Sequence, residues 1–201
     1  MPELGLFPLN LVLMPGERVP LHIFEPRYRE LIGECLDNLA EFGLIYQQGA
    51  ALSPVGTRAR VEGVLERFPD GRFNVVVAGT TRFRLIEQTA GRSFLTARVG
   101  DLDDTGDHPS EQEVEACLAA FADTQVGAEV AGLDGTPEGL GFTVAAAAGL
   151  PNEIKQDLLE MLSERDRVLA LTEALTGRAG TEIRAREIEQ RASGNGQVDH
   201  L

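Results

Sequence analysis

The sequence predicts an α+β protein, in which a small β pseudo-barrel with one inserted helix is followed by a C-terminal α-helical bundle. Short segments rich in Val, Ile, Phe and Thr recur up to about residue 102, with apolar side chains at every second position. One early stretch, residues 26–39, instead repeats its apolar residues at steps of three and four. Beyond Pro109 the same helical period dominates. The change of period separates a strand-rich half from a helical half.

The first elements are two extended segments and a helix. Residues 6–13 alternate between apolar and other positions, and Pro15-Gly16 then predicts a turn. The next segment, residues 19–24, contains Pro20, which has no backbone N–H to donate, so we expect an edge or bulged strand. Pro26 suits the first position of the helix that the apolar spacing predicts.

Five further strands are predicted between the helix and residue 102. Turn signals separate them at Pro69-Asp70-Gly71, at Gly79 and at Ala90-Gly91. Closure of such short strands into a barrel would remove the exposed strand edges. The predicted strands are 42–47, 57–68, 72–78, 81–88 and 93–102.

The helical half begins after an aspartate-rich stretch, residues 101–109. Ser110 and Glu113 have the spacing of a capping box, and residues 140–150 form an alanine-rich helical stretch that ends at Pro151. Asn152 and Ser163 are the predicted N-caps of two further helices. We therefore divide the chain into a barrel subdomain at 1–105, a bundle subdomain at 106–176, and a charged helix with a flexible tail at 177–201.

Composition narrows the classes of function. The formal net charge is −14, and residues 101–175 alone carry 17 acidic against 3 basic side chains. This acidity argues against nucleic acid as the main partner. No apolar run approaches the roughly 18 residues of a membrane span, and the N-terminus lacks the pattern of a signal peptide. Cys35 and Cys117 are far apart, which favours two reduced, buried thiols in a cytoplasmic protein.

Motifs for catalysis are missing. The sequence has no P-loop, no Gly-x-Ser-x-Gly elbow, and no metal-binding spacing around its histidines, which are His22, His108 and His200. We interpret His22 as a hydrogen-bonded structural side chain. Ser163 and Lys155 are eight residues apart on adjacent predicted helices, and this spacing is weak evidence for a Ser/Lys dyad. We therefore predict a protein that is not an enzyme and needs no cofactor or metal.

The opening stretch carries the most specific motif. It reads Leu6-Phe7-Pro8-Leu9, then Pro15-Gly16, then Pro20-Leu21-His22-Ile23-Phe24-Glu25-Pro26-Arg27-Tyr28. These segments closely resemble the start of the substrate-binding N-terminal domain of the Lon protease family. The segments 79–84 and 150–160 continue the resemblance, which covers roughly residues 4 to 175.

The resemblance implies a PUA-like β-barrel followed by a helical bundle, a domain that contacts polypeptide substrates in a bacterial-type peptidase. No counterpart of the ATPase or of the Ser/Lys protease domain occurs in the 201 residues, so the chain resembles a stand-alone form and only binding carries over. We interpret the motif residues as mainly structural. They are Phe7, Pro8, Pro15, Gly16, Pro20, His22, Phe24, Glu25, Pro26, Arg27, Tyr28, Arg82 and Phe83.

Three kinds of partner stay open. The first is an unfolded or partner polypeptide, held at an edge strand or in an apolar groove between barrel and bundle. The alternative is RNA, bound by an arginine-rich barrel face, since the strands also carry a basic stripe that includes Arg98. The third is a second copy of the chain, because the opposite charges of the basic centre and the acidic bundle can attract either within one chain or between chains, and the sequence does not distinguish the two. The candidate binding residues are Arg27, Arg58, Arg60, Arg82 and Arg84.

Overall fold

The fold was obtained as a computed structural model, which describes residues 3–90, 92–124 and 139–177. Seven strands and one helix come first, and four helices follow within the described ranges. The elements are β1 Glu3–Leu9, β2 Arg18–Ile23, α1 Pro26–Asn38, β3 Phe42–Gln48, β4 Ala51–Leu52, β5 Val55–Arg67, β6 Phe73–Thr89, β7 Thr96–Asp101, α2 Glu111–Ala122, α3 Leu140–Ala147, α4 Asn152–Glu160 and α5 164–177. The predicted charged helix and tail beyond residue 177 lie outside the described residues.

Five strands close into a ring in the order β1-β7-β6-β5-β3. Neighbours along this path are antiparallel, and β1 returns to pair with β3 in parallel, from Leu6 opposite Gly43 to Leu9 opposite Tyr46. The parallel pair requires a crossover between β1 and β3, and this crossover contains β2 and α1. The structure thus confirms the α+β class with one inserted helix, while a specifically PUA-like barrel stays a prediction.

Strand β6 runs without a break through Gly79, so the predicted turn at this residue is wrong. A Cβ atom on Gly79 would lie 2.3 Å from the carbonyl oxygen of Met14. Glycine is needed here because the loop before β2 crosses close to the strand, and no chain reversal is involved. The first half of β6 pairs with β2 on one side and with β5 on the other, and its second half pairs with β7.

Helix α1 begins at Pro26, as predicted, and buries Tyr28, Leu31, Ile32 and Cys35 against the barrel. It ends at Leu39, which has a left-handed backbone with φ 52° and ψ 36°. Glycine is the usual residue at this position, because a side chain raises the energy of the left-handed region.

The caps of the bundle helices are mostly those that the sequence predicts. Ser110 and Glu113 form the capping box of α2, and the Ser163 hydroxyl accepts from the backbone N–H of Asp166 at the start of α5. The prediction for Asn152 is wrong, because Pro151 is the N-cap and Asn152 is the first helical residue. Its side chain instead bonds to the barrel at Asn10, donating to the carbonyl oxygen at 3.1 Å.

Three apolar clusters form the core of the described residues. One fills the barrel, a second lies between the barrel and α1, and the third is the core of the bundle. Four residues from the barrel half belong to the bundle cluster, namely Val12, Met14, Tyr46 and Val55. The barrel and the helices therefore share a continuous apolar interface.

Candidate functional site

The aromatic residues of the N-terminal motif attach α1 to the barrel. Phe7 on β1 stacks on Tyr28 with ring centroids 4.1 Å apart, and Phe42 lies 6.2 Å from Phe7. Burial raises the pKa of the Tyr28 hydroxyl. Arg27 pairs with Glu25 at 2.8 Å and covers the exposed side of the Tyr28 ring at 4.5 Å. These contacts place the motif aromatics between α1 and the barrel, and a mainly structural role for the motif stays a prediction.

The turn before β2 is held by backbone hydrogen bonds. Gly16 has φ 80° and donates to the carbonyl oxygen of Gly79 at 3.0 Å, and Glu17 donates to that of Met14 at 3.0 Å. Pro15 precedes the glycine at this turn. On β1, Pro8 lies opposite Ile45 of β3. These prolines and the glycine therefore shape the crossover that closes the barrel.

Strand β2 pairs on one side only. Its partner is β6, from Arg18 opposite Ala78 to Ile23 opposite Phe73. The N–H of Gly79 donates to the carbonyl oxygen of Glu17 at 2.9 Å, and hydrogen-bonded positions alternate along an antiparallel pair. The nitrogen of Pro20, three residues on, therefore points away from β6, where its missing hydrogen breaks no bond. Within the described residues no strand pairs with this outer edge.

An aromatic cluster lies at the end of β2. His22 stacks on Phe24 with centroids 5.8 Å apart, and the edge of Phe68 approaches His22 at 6.0 Å. His22 Nδ1 is 2.6 Å from Asn74 Oδ1, which confirms the hydrogen bond expected for this histidine. Phe24 is 57% exposed although it follows a strand and precedes a helix. The cluster therefore places exposed aromatic surface beside the free edge of β2.

Arg82 and Phe83, the second part of the motif, face opposite sides of β6. Phe83 is fully buried inside the barrel. Arg82 points toward the bundle, where it donates to the carbonyl oxygens of Leu159 at 2.8 Å and Met161 at 2.6 Å. Its other nitrogen donates to Asp104 at 2.6 Å. Burial lowers the pKa of the guanidinium, and the Asp104 carboxylate opposes this shift.

The partners of Arg82 form a buried cluster with α5. Asp104 also accepts from Arg167, at 2.7 Å, and the Arg167 side chain is fully buried. Glu164 pairs with Arg167 and accepts from the backbone N–H of Gly141 at 2.8 Å. The Phe142 ring lies under both guanidiniums, 3.7 Å from that of Arg167 and 5.2 Å from that of Arg82. This cluster joins barrel, linker and bundle.

A second polar contact joins the two halves at α4. Lys155 Nζ lies 3.0 Å from Glu17 Oε1, and both side chains are largely buried. Gln156 Nε2 donates to the carbonyl oxygen of Val55 at 3.1 Å. The first of these contacts engages Lys155, and both join α4 to the barrel half. Between the Gly16 turn and α3 there remains an open groove of about 350 Å³, in the region where a groove between barrel and bundle was expected.

The five candidate arginines do not form one exposed stripe. Arg82 is buried, and Arg58 donates to Asp101 at 3.1 Å. Arg60 lies 3.8 Å from Glu62. Arg84 is exposed, and Thr57 rather than Arg58 lies opposite Arg82 on the neighbouring strand. Arg27 lies over the Tyr28 ring on α1, and Arg98 pairs with Glu87. A role for these residues in binding stays a prediction.

Two further findings concern the described residues alone. Over residues 3–90, 92–124 and 139–177, no three His, Cys, Asp or Glu side chains are placed to hold a metal ion. No helix in these ranges has the length and apolarity that crossing a membrane demands.

Sequence reasoning missed several residues that the fold brings together. Phe68 joins the aromatic cluster from the β5–β6 turn, and Asp104, Glu164 and Arg167 complete the buried cluster. Glu164 and Arg167, at i and i+3 of α5, had a local signal, but this spacing is ordinary on solvated helices. Asp104 had no signal, because it lies in a run of aspartates that reads as a linker.

The fold and these contacts define an α+β domain in which the barrel and the helices share a core. Comparison with known proteins gives its family. Residues 3–177 match the family model of the ATP-dependent protease La (LON) substrate-binding domain. The match covers most of the chain, so the protein belongs to this family.

Individual relatives agree with that assignment. A Lon protease of Paraburkholderia phytofirmans is 27% identical over 92% of this chain and 25% of its own length. One of Parabacteroides distasonis is 30% identical over 58% of this chain and 15% of its own length. The chain thus spans a quarter or less of the length of these curated relatives.

Two solved structures share the fold. The Lon N-terminal domain protein from Xanthomonas campestris superposes with a TM-score of 0.70 at 23% identity, covering 85% of this chain and 97% of that one. The N-terminal domain of a Mycobacterium avium complex Lon protease gives a TM-score of 0.67 at 17% identity, covering 87% and 98%. These structures support the fold, and the family model over residues 3–177 confirms the predicted family resemblance.

Proposed function

We propose that this protein is a non-catalytic, cytoplasmic module that binds extended polypeptide segments along the outer edge of β2. The observation that carries the proposal is that this strand pairs with β6 alone and ends in the exposed aromatic cluster of His22, Phe24 and Phe68. Membership of the LON substrate-binding family supports a polypeptide as the ligand class.

The backbone of β2 suits strand addition. The backbone groups of Pro20 point away from β6. Backbone groups at every second residue point the same way, so those of Arg18 and His22 also point to the free edge. This edge offers the N–H groups of Arg18 and His22 and the carbonyl groups of all three residues. An added strand gains affinity from main-chain hydrogen bonds, which do not depend on the sequence of the ligand. Such a site is suited to unfolded segments of many proteins.

The aromatic cluster would supply the apolar part of the contact. Phe24 is 57% exposed, and its stacking on His22 holds it in place without burying it. Aromatic side chains in this state lose little conformational entropy on binding and commonly dominate the energy of an interface. We expect the ligand to place an apolar side chain against Phe24.

The other candidate partners are less favoured by the arrangement of charges. RNA would need a continuous basic face, but Arg82 is buried and Arg58 pairs with Asp101. Self-association through opposite charges is weakened for the same reason, since the pairs of the barrel form within one chain.

The test uses a fluorescent unfolded model protein and an extended apolar peptide, titrated with the full chain. We expect binding at tens of micromolar or tighter, and loss of binding when alternate backbone nitrogens of the peptide are methylated. Methylation removes donors and leaves side chains unchanged, so it distinguishes strand addition from a purely apolar contact. A peptide methylated at the other set of alternate nitrogens serves as the matched control.

A pair of variants checks the location. Phe24→Ala should weaken binding about tenfold or more, as truncation of an aromatic anchor does. Leu65→Ala, which truncates a 63% exposed residue on β5, should leave affinity unchanged. Absence of any polypeptide binding would overturn the proposed function, and equal effects of the two variants would overturn the β2 location.

A further inference from the structure

A second surface lies where the C-terminal half of α1 meets β1 and the start of β7. We propose that this surface binds an apolar side chain flanked by Lys or Arg, presented by a protein partner. It goes beyond the β2 site, since it uses different residues and a different kind of recognition. The surface consists of a small pocket with an apolar floor, two carboxylates at its rim that form no ion pair within the described residues, and the adjoining exposed side chain of Leu39.

The floor of the pocket is apolar and preformed. It is lined by Gly5, Leu31, Cys35 and Phe94, and encloses about 190 Å³. Leu31 and Phe94 are almost completely buried, so only a small part of each side chain is exposed in the pocket. A Cβ atom on Gly5 would lie 2.4 Å from Leu31 Cδ1 and 3.1 Å from Phe94, so the absence of a side chain here allows the floor to form.

Leu39 lies between Asn38 and Ala40, which both line the pocket, although Leu39 itself does not. The side chain is 94% exposed, the largest exposure among the large apolar residues described. Its backbone is left-handed, a conformation that favours Gly or Asn. Both features are unfavourable for the isolated fold, and a leucine at this position contributes no packing to it.

The rim carries a charge that specifies the partner. Glu3 and Glu41 line the pocket and are exposed, and neither forms an ion pair with any of the residues described here. Glu41 accepts one hydrogen bond, from the Thr80 hydroxyl at 2.7 Å. Cationic side chains on either side of an inserted apolar group would be paired by these two carboxylates.

The chain itself shows this chemistry at the same rim. Arg92 pairs with Glu34, and its guanidinium lies 4.5 Å from the centroid of the Phe94 ring, two residues along the chain. A single extended segment can therefore place a cation on a rim carboxylate and an apolar ring in the floor of the pocket. Glu3 and Glu41 are the positions where a second such segment would find unpaired charge.

The probes are synthetic peptides with a central leucine or phenylalanine flanked by lysines, compared with peptides of the same apolar residues flanked by glutamates. Anisotropy titrations of the full chain should show at least about tenfold tighter binding of the basic peptide at low salt. That preference should fall as salt is raised, because exposed charges are screened.

Variants separate binding from folding. Leu39→Asn should weaken binding of the basic peptide about tenfold, as loss of an interface anchor does, while thermal stability stays equal or rises. Replacing both rim carboxylates, Glu3→Gln with Glu41→Gln, should abolish the preference for the basic peptide. Leu65→Thr, which alters an exposed leucine outside the pocket, is the matched control and should change neither property.

Several results would overturn the proposal. These are no binding of the basic peptide, equal binding of the acidic peptide, or unchanged affinity in Leu39→Asn. Sedimentation of the wild-type chain and of Leu39→Asn tests whether a second copy of the chain is the occupant instead. A dimer that is lost in the variant would show this and would overturn the proposed partner. Each of these outcomes leaves the β2 site intact, because the methylated peptides and Phe24→Ala test that site separately.

Discussion

Arg82 Nη2 lies 2.6 Å from Asp104 Oδ1, and this ion pair joins β6 of the barrel to the segment that leads into the helices. Asp104 also accepts from Arg167 at 2.7 Å, so one carboxylate bridges two buried guanidiniums from different halves of the chain, and Glu164 supplies the second negative charge. Arg82, an arginine of the family motif, therefore contributes to the relative position of the barrel and the bundle.

Removal of the Asp104 charge should destabilise the whole chain. Asp104→Asn leaves Arg82 and Arg167 buried with less compensating charge, and we expect a loss of about 3 kcal/mol, near the low end for a broken buried pair because Asp104 is partly exposed. Urea unfolding followed by circular dichroism measures it. Asp101→Asn is the matched control, since Asp101 is an exposed partner of Arg58 and should cost less than about 0.5 kcal/mol. Equal losses in the two variants would contradict the role of Asp104.

The close crossing at Gly79 gives a second prediction. In Gly79→Ala the new methyl group would meet the Met14 carbonyl oxygen, so β6 or the loop must shift, and we expect a loss of about 2 kcal/mol. Gly63→Ala changes a glycine of the neighbouring strand β5 that has open space around it, and should stay within about 0.5 kcal/mol. Thermal unfolding of both variants decides, and a tolerated alanine at Gly79 would show that the crossing is looser than described.

Acid should weaken the contact between the starts of α2 and α5. Hydrogen bonds from Arg165 and from Ser110 lower the pKa of Glu113 to about 2, from an ordinary value of 4.5. A lowered folded-state pKa contributes stability that is complete above the unfolded value and is lost as the pH falls toward 2. Stability of the wild-type chain should therefore decline between about pH 5 and pH 2 more steeply than that of Glu113→Gln.

The comparison is made by urea unfolding at several pH values. Glu115→Gln, an exposed substitution two residues along α2, is the control and should follow the wild-type profile. Parallel profiles for wild type and Glu113→Gln would show that the carboxylate is not stabilised in the folded state.

The left-handed residue at the end of α1 should respond to substitution in an unusual direction. Leu39→Gly removes the steric cost of the left-handed backbone, and we expect a gain of about 1 kcal/mol. Asn38→Gly, one residue earlier and within the helix, should instead lose up to about 1 kcal/mol. Chemical denaturation distinguishes opposite signs readily. A destabilised Leu39→Gly would mean that the leucine packs in the folded chain.

Local patterns predicted most of the elements because their causes are local. The start of α1 at Pro26 and the capping box of Ser110 and Glu113 depend on neighbouring residues, and the structure confirms both. The edge position of β2 was also predictable, since Pro20 cannot donate to a partner strand. The family resemblance depends on the same short motifs.

Predictions failed where a distant segment changes the meaning of a local pattern. Gly79 has the sequence of a turn, yet it allows the Met14 carbonyl group to cross a continuous strand. Asn152 has the sequence of a helix cap, but its amide bonds to the barrel at Asn10. In each case a partner about 60 or more positions away determines the outcome, and a local window contains no information about it.

The sequence by itself determined the class of fold, most of the helices and strands, and the family, because periodicity, caps and proline constraints act over a few residues. Only the tertiary structure decided which arginine is buried, which strand edge is free, and that Leu39 is exposed beside an apolar pocket. These properties depend on the register of the barrel and on how the helices pack against it. Both arise from contacts between residues far apart in the chain, where charge and hydrophobicity alone do not specify the partner.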